Sequence, residues 1–364
     1  MRQNFTFSSQ AWFRFKKNRL AVAGLIIITA SFLIAVFGYL FAPDNTPNAD
    51  LQTVEIQAKK PGYEQLFLKI PDNNPSIKNG IVLLSGKRSR FQYLPITSWQ
   101  LNGENIIVDK YIDEDTTVKQ SFNINMLTGN KPAAIKENII IKKYWLGTDA
   151  FGRDILSRLI IGTRVSLAVG LIAVLISLTL GILFGALAGY YRGWVDEIIM
   201  WLVNVTWSIP TLLLVFAFTM ALGKGFWQIF IAVGLTMWVN VARLVRGQVM
   251  GIKELEFVQA ARALGFKDTR IILRHILPNI LGPLMVIAAG NFATAIIIEA
   301  GLSFLGIGVQ APQPSWGLMI KENYNFIITN NPLLALIPGF AIMLLVLAFN
   351  LLGNGLRDAV DVKN

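Results

Sequence analysis

The chain has 364 residues, of which 54% are hydrophobic and only 15% are charged, with a formal net charge of +11. Soluble domains carry about 25% charged residues, so this composition is typical of a membrane protein. The absence of cysteine excludes disulfides, thiolate nucleophiles and Cys-ligated metals, and a single histidine, His275, leaves almost no material for a Ser-His-Asp triad or a multi-histidine site. The excess cations lie close to apolar runs, which favours an anionic membrane surface over nucleic acid as their partner.

The chain begins with a short basic segment and a long apolar run. Residues 1–19 mix aromatic and basic residues, a pattern typical of a helix lying in the cytoplasmic interface, with a disordered tail as the alternative. Residues 20–42 contain no charged residue and are almost all apolar. This run exceeds the roughly 7–15 residues of a signal-peptide core, so we predict a retained transmembrane helix.

Residues 43–144 have a different composition, rich in polar residues, Pro, Asn and Gly. Short runs of alternating apolar residues appear within this region, one of them at Ile81–Leu84. Asn102-Gly103 lies between two such runs and indicates a hairpin, because both residues accept positive φ. We predict a small water-soluble β-rich domain here, followed by an outer membrane-proximal segment over residues 145–163.

Five more apolar stretches follow, giving six predicted transmembrane helices and placing both termini on one side. The stretches are 165–190, 198–222, 226–245, 284–305 and 333–352. We expect Pro210 to kink the helix over 198–222. Residues 164–354 form a predicted core with five spans, and residues 355–364 a cytoplasmic tail.

The distribution of positive charge predicts the orientation. Residues 14–19 and the long loop 251–282 are rich in Lys and Arg, whereas the short loops on the opposite side carry only Lys224 and Lys321. Cytoplasmic loops carry the excess of cations, and long loops are exempt from this count. Both termini are therefore predicted in the cytoplasm and the β-rich domain outside.

The loop over 251–282 is too long for a simple connection between neighbouring helices. Its pattern predicts two short amphipathic helices, roughly 253–264 and 268–276. We expect Gly265 to cap the first, Asp268 to begin the second as its N-cap, and Pro278 to end it. Alanines at 260, 261 and 263 keep the first helix slim, so another surface can approach it.

The same loop carries a recognisable motif. Gln259-Ala260-Ala261, then Gly265, then Ile276-Leu277-Pro278 resembles the EAA motif of ABC-importer permeases, with Gln259 in place of the usual Glu and His275 in place of an aliphatic residue. In that family the loop is the coupling helix, which docks into a groove on the ATPase subunit. The resemblance implies an ATPase-coupling loop that comprises Gln259, Ala260, Ala261, Gly265, His275, Ile276, Leu277 and Pro278.

Three further stretches resemble the dipeptide/oligopeptide type of permease. They are Leu146-Gly147-Thr148-Asp149 continuing through Gly152-Arg153-Asp154 to Leu156-Ser157-Arg158, Glu299 to Gly308 followed by Pro312, Pro314, Ser315, Trp316 and Gly317, and Asn350-Leu351-Leu352-Gly353 with Gly355-Leu356-Arg357-Asp358. The last stretch has Asn354 where the family usually has Asp. The resemblance covers residues 1–42 and 145–364 and leaves the β-rich domain out as an insertion.

The resemblance implies an all-α polytopic membrane protein with six transmembrane helices, the type I ABC importer permease fold, with an inserted extracytoplasmic β-rich domain. It implies a bacterial inner-membrane subunit without a catalytic site or cofactor, which moves di- or oligopeptides while partner ATPase subunits use ATP and magnesium. The implied partners are a second homologous permease, two ABC ATPase subunits, an extracytoplasmic substrate-binding protein and membrane lipid, with no nucleic acid. Nickel or another small solute is the alternative substrate within the family.

Glu299 is the most informative ionisable residue within a span, because carboxylates in bilayers are costly and face an interior or a partner. Two interpretations stay open: a pathway-lining or subunit-interface residue, together with Asn291, or a helix–helix hydrogen bond. An ion-coupled secondary transporter is the rival class, and it would need more such groups near the middle of the membrane.

Overall fold

The computed structural model of the chain describes residues 7–72, 85–129, 132–223, 225–328 and 331–360. The predicted run Ile81–Leu84 and Lys224 lie outside these residues. The chain divides into two compact units. One contains residues 1–32, 166–310 and 340–364, and the other contains residues 33–165 and 311–339.

Five helices of the described chain are long and apolar enough to cross a membrane. They are Arg19–Phe41, Ile155–Tyr191, Phe226–Lys253, Asp268–Phe304 and Leu333–Val360. A sixth span is present if Gly193–Trp207 and Thr211–Leu222 cross together, since this pair passes the same test but is bent by 95°. The predicted kink at Pro210 is therefore a break between two helices, where the proline has no amide hydrogen with which to continue the helical ladder.

Several helices extend beyond their predicted ends. Ile155–Tyr191 begins ten residues before the predicted start at 165, so part of the segment predicted as 145–163 is helical. Phe226–Lys253 and Leu333–Val360 each continue eight residues past their predicted ends at 245 and 352. Apolar runs mark the length that a bilayer covers, whereas a helix continues as long as its backbone groups remain paired.

Glycines bring two of the long helices close together. Gly181, Gly185 and Gly189 recur every four residues along Ile155–Tyr191 and face Phe226–Lys253. A Cβ at Gly185 would lie 2.5 Å from the Ala242 carbonyl oxygen, and one at Gly189 would lie 2.7 Å from that of Arg246. Small residues at this spacing permit close packing of helices in a membrane.

The unit that contains residues 33–165 is built on a five-stranded antiparallel sheet with the order β4-β3-β2-β1-β5. The strands are β1 Tyr63–Pro71, β2 Phe91–Asn102, β3 Asn105–Tyr111, β4 Thr117–Asn123 and β5 Ile139–Tyr144.

The predicted hairpin joins β2 to β3. Asn102 pairs with Asn105, and Gly103 has a φ of +60°. Asn102 ends the strand and does not take positive φ, so the turn lies one residue later than the motif suggested. One face of the sheet forms a core with the short helix Ile124–Thr128, and the core includes Leu68, Ile96, Ile106, Val108 and Leu127.

Candidate coupling and pathway sites

The loop predicted as a coupling segment begins with the helix Glu256–Ala263. Gly265 follows with a φ of +77°, where a side chain would be strained. The Gly265 amide donates to the Arg262 carbonyl and the Phe266 amide to the Ala261 carbonyl, at 3.0 and 3.2 Å. This is a Schellman ending, which satisfies the last carbonyls of the helix.

The second half of the loop corrects two expectations. Lys267 occupies the N-cap position, and Asp268 is the first residue of the helix Asp268–Ile271. The Asp268 carboxylate instead accepts a hydrogen bond from the Tyr190 hydroxyl at 2.6 Å, and the Lys253 ammonium donates to the Tyr190 carbonyl at 2.6 Å. The first bond ties the loop to the helix Ile155–Tyr191, and the second ties that helix to the end of Phe226–Lys253.

Pro278 does not end the second helix. The turn Ile272–Ile276 widens to a π turn, in which the Leu277 amide reaches back to the Ile272 carbonyl, and Leu277–Ile280 tightens to a 3-10 turn. The chain then continues directly into Leu281–Phe304. The change of pitch accommodates the missing amide hydrogen of the proline, so the helix continues with a local irregularity.

One face of the loop is buried against its own unit. Val258, Ala261, Ile271, Ile276 and Ile280 pack in a single core with Ala186, Tyr190, Val241, Val245 and Val249. Ala261 is only 4% exposed, so it belongs to this core, contrary to the expectation that all three alanines leave room for another surface to approach the helix. Leu277 is partly buried against the same core.

The opposite face of the first helix is open. Successive helical residues are about 100° apart, so the side facing away from Val258 and Ala261 carries Glu256, Gln259, Ala260 and Ala263, all exposed. Phe257 and Leu264 flank it with exposures of 44% and 74%. We call these six residues the outer face of the coupling segment.

The remaining motif residues of the loop have structural contacts. The amide of Gln259 donates to the Glu254 carbonyl at 3.0 Å. The imidazole of His275 stacks on Phe266 at 5.9 Å between ring centroids, with the Arg270 guanidinium against the same phenyl ring. Pro278 is exposed and Ile276 is fully buried. The structure thus brings the motif residues into one segment but divides them between an inner and an outer side.

Glu299 is fully buried near the end of Leu281–Phe304. Its Oε1 accepts a hydrogen bond from the Ser303 hydroxyl at 2.7 Å, and the Ser303 hydroxyl oxygen accepts one from the Val309 amide at 3.0 Å. A Cβ at Gly308 would overlap Ser303. This network joins the end of the helix to the turn that follows it.

Asn291 lies elsewhere on the same helix and lines a small polar cavity. Its side-chain amide donates to the Ser177 hydroxyl at 3.4 Å. The polar residues that line the cavity are Thr206, Thr211, Thr236, Asn240, Asn291 and Thr294. Their side chains are neutral and offer both donors and acceptors. The cavity lies beside the break between Gly193–Trp207 and Thr211–Leu222.

Residues of the stretch 146–158 form a buried ion cluster. The Arg153 guanidinium donates to Asp149 at 2.7 Å and to Glu322 at 2.6 Å. Arg158 is fully buried and reaches Glu322 at 3.2 Å. Burial alone would lower the pKa of Arg153. The nearby carboxylates of Asp149 and Glu322 outweigh this effect, so the pKa of Arg153 is raised. The sequence contained no signal for Glu322, which lies far from the others along the chain.

Within the described ranges, no group of three or more His, Cys, Asp and Glu side chains is arranged to hold a metal ion.

Comparison with known proteins identifies the family. Residues 181–363 match the family described as binding-protein-dependent transport system inner membrane component, and residues 6–59 match the N-terminal TM domain of oligopeptide transport permease C. The dipeptide transport system permease protein DppC of Bacillus subtilis is 32% identical over 362 residues, which is 100% of this chain and 88% of that protein. This chain belongs to the binding-protein-dependent permease family.

Other relatives match a smaller part of the chain. DppC of Alkalihalophilus pseudofirmus is 45% identical over 221 residues, 61% of this chain and 72% of that protein. The glutathione transport system permease protein GsiD of Pectobacterium atrosepticum is 44% identical over 220 residues, 60% and 73%. A solved structure, the inward-facing MetNI methionine ABC transporter, has a TM-score of 0.47 with 20% identity over 56% of this chain and 96% of that chain.

Membership of the family fixes the general role. The protein is a multi-pass membrane permease of an ABC importer, a non-catalytic subunit whose partner ATPase hydrolyses ATP and whose substrate arrives on a binding protein. The alignment with the Bacillus subtilis protein spans essentially the whole chain, residues 43–144 included. The expectation that the resemblance leaves the β-rich domain out is therefore corrected for this relative.

Proposed function

We propose that this permease moves di- or oligopeptides into a bacterial cell, as one of two homologous permease subunits that work with two ATPase subunits. In this proposal it has the type I importer fold in the inner membrane, with both termini cytoplasmic and the sheet outside. Relatives named for dipeptide, oligopeptide and glutathione transport support a peptide substrate. The cations of residues 14–19 and 251–282 support the orientation.

The outer face of the coupling segment is the ATPase contact in this proposal. Ala260 and Ala263 leave a shallow surface between Phe257 and Leu264, and exposed apolar side chains of this kind mark protein interfaces. Movement of this face passes inward through the core that contains Val258, Ala261 and Ile276. The Tyr190–Asp268 hydrogen bond joins the same core to the helix Ile155–Tyr191, so the segment and the span move together.

The polar cavity beside Asn291 is the proposed part of the pathway. Its hydroxyl and amide groups pair with peptide groups without favouring one charge, which suits a carrier of peptides with varied side chains. Glu299 then has the structural role of shaping the end of its helix through Ser303.

The coupling proposal is tested by substitutions on the two sides of one helix. Ala260→Arg and Ala263→Arg place a long cation on the outer face, and both variants should insert at wild-type levels but lose peptide uptake and ATPase copurification. Ala261→Arg instead forces a cation into the core, so it should lower the amount of folded permease. Uptake of a labelled dipeptide, permease abundance and copurified ATPase are measured in the same strains.

Lys267→Ala provides the control, because Lys267 is exposed and lies outside the outer face. It should leave uptake and copurification near wild type. Normal uptake by both Ala260→Arg and Ala263→Arg would show that the segment is only a connection and would overturn the coupling proposal.

A further inference from the structure

A basic segment is fixed at the end of the first span. The Lys87 amide donates to the Asn45 carbonyl at 2.9 Å. Gly86 has a φ of +72°, and a Cβ there would lie 2.7 Å from the Asn45 carbonyl oxygen and 2.8 Å from the Tyr39 ring. This close approach requires glycine at position 86 and holds the cations of residues 87–90 beside the residues that follow Arg19–Phe41.

The position of this segment corresponds to the headgroup layer of a membrane. Leu40 and Phe41, in the last turn of the first span, are 64% and 66% exposed. An apolar surface that continues to the last residue of a span indicates that acyl chains reach that level. Asn45, which contacts the basic segment, and the neighbouring Pro43 and Asp44 therefore lie where phosphate groups are found.

The basic segment lines a groove together with strand β5. Two adjoining hollows of about 240 Å³ each share Pro43, Asp44, Leu51 and Lys142. The cations around them are Lys87, Arg88, Arg90, Lys142 and Lys143, and the carboxylates are Asp44 and Asp154. We call this the basic groove.

Both carboxylates of the groove are engaged in local structure. Asp44 accepts the amides of Thr46 at 3.0 Å and Leu51 at 3.1 Å. Asp154 accepts the amide of Ser157 at 2.9 Å, and burial raises the pKa of its carboxyl group. Lys143 pairs with Glu64 at 2.8 Å. The other four cations of the groove still outnumber its two carboxylates, which accept backbone amides through Asp44 and through Oδ2 of Asp154.

Lys142 is the most constrained cation of the groove. It is half-buried, and its ammonium lies 3.3 Å from the centroid of the Tyr93 ring. No carboxylate of the described chain makes an ion pair with it. Burial lowers the pKa of Lys142 to about 8. A bound anion would supply the missing partner for this ammonium.

We propose that the basic groove binds the phosphate headgroup of an anionic phospholipid, with the acyl chains lying along the exposed side of Leu40 and Phe41. Position, charge and shape agree on this ligand: a phosphate at this depth meets several cations, while its chains find an apolar helix surface directly below. The site is independent of the transported substrate and of the orientation of the chain.

The test uses the full-length permease in an uncharged detergent, titrated with phosphatidylglycerol or phosphatidylcholine and observed by native mass spectrometry. The wild type should retain phosphatidylglycerol preferentially. Each cation near an anionic lipid surface contributes roughly a fivefold change in affinity, so Lys87→Ala/Arg90→Ala should weaken retention by about 25-fold. A phosphatidylglycerol with a photoactivatable acyl chain should crosslink within residues 33–41 of the wild type and lose that crosslink in the variant.

A matched control removes the same charge elsewhere. Lys60→Ala/Lys119→Ala takes two exposed cations from the same unit, outside the groove, and should retain phosphatidylglycerol as the wild type does. Equal loss in both variants would mean general attraction and would overturn the proposal. It would equally be overturned if the groove variant kept phosphatidylglycerol but lost affinity for the substrate-binding protein, because the groove would then be a protein-docking surface. Lys87→Arg/Arg90→Lys keeps the charge and should restore binding.

Discussion

The coupling segment and the ion cluster around Arg153 differ in the burial and pairing of their cations. Arg153 and Arg158 are buried and share the carboxylates of Asp149 and Glu322. In the coupling segment, Arg262, Lys267, Arg270 and Arg274 are exposed and make no ion pair within the described chain. The cluster is therefore part of the internal structure of its unit, whereas the coupling segment is held mainly by apolar packing and keeps its cations on the surface.

Substitutions in the ion cluster should lower the stability most. Arg153→Leu leaves the buried carboxylate of Asp149 and the partly buried carboxylate of Glu322 with less compensation, and removing one partner of a buried ion pair costs about 3–5 kcal/mol. We expect the purified permease to unfold several degrees lower in a thermal melt. Lys143→Ala removes an exposed pair with Glu64 and should change the stability by less than about 1 kcal/mol. Equal effects of the two substitutions would contradict a structural role for the cluster.

Sequence patterns identified the parts of this molecule better than their arrangement. The spans, the hairpin at Gly103 and the turn at Gly265 follow from local chemistry, namely apolar length and positive φ. Glu322 could not be assigned to Arg153, because an ion pair between distant elements leaves no periodic signal. The helical phase, in which Val258 and Ala261 share a face, did contain the information that Ala261 is buried.

The break at Pro210 and the continuation through Pro278 illustrate the limits of a residue-level rule. Both prolines lack the amide hydrogen, yet one lies at a 95° bend and the other within a helix that continues. The π turn Ile272–Ile276 precedes Pro278 and absorbs the irregularity. No such turn adjoins Pro210 in the described chain. The two prolines thus differ in the pitch of the preceding turn, which composition does not specify.

An intermediate effect is expected at Lys142, a half-buried cation that makes no ion pair with the described residues. Its pKa is about 8 in the folded protein against an ordinary 10.5, and burial is the main cause, with Asp44, Asp154 and Lys69 as the charged neighbours. Between these two values the unfolded chain holds a proton that the folded protein has released, so stability rises with pH. Below about pH 8 both states are charged and the cost of burial is present in full.

The measurement is the melting temperature of the wild type and of Lys142→Met from pH 7 to 9.5. The wild type should gain stability relative to the variant above pH 8. Burial raises the pKa of Tyr63 to about 12. Titration of Tyr63 therefore lowers the stability of the folded protein only above pH 10, outside the measured range. Parallel curves of melting temperature against pH for the wild type and Lys142→Met would show that burial does not disfavour the charged form of Lys142. Saturating phosphatidylglycerol should remove the difference, because a bound phosphate keeps the ammonium charged.

A substitution at Gly265 should have the weakest effect. It tests whether the coupling segment is held by backbone geometry and apolar packing. At a φ of +77° an alanine costs roughly 1 kcal/mol more than glycine. No atom lies within 4 Å of the position where its Cβ would be, so the cost is backbone strain alone.

Gly265→Ala should therefore weaken the Schellman ending and speed hydrogen exchange at the amides of Gly265 and Phe266 by about fivefold. Arg262→Ala, one turn earlier on an exposed position, should leave those amides unchanged. Faster exchange in Arg262→Ala than in Gly265→Ala would mean that charge, and not the turn, holds the segment in place, and the comparison with the Arg153 cluster would fail.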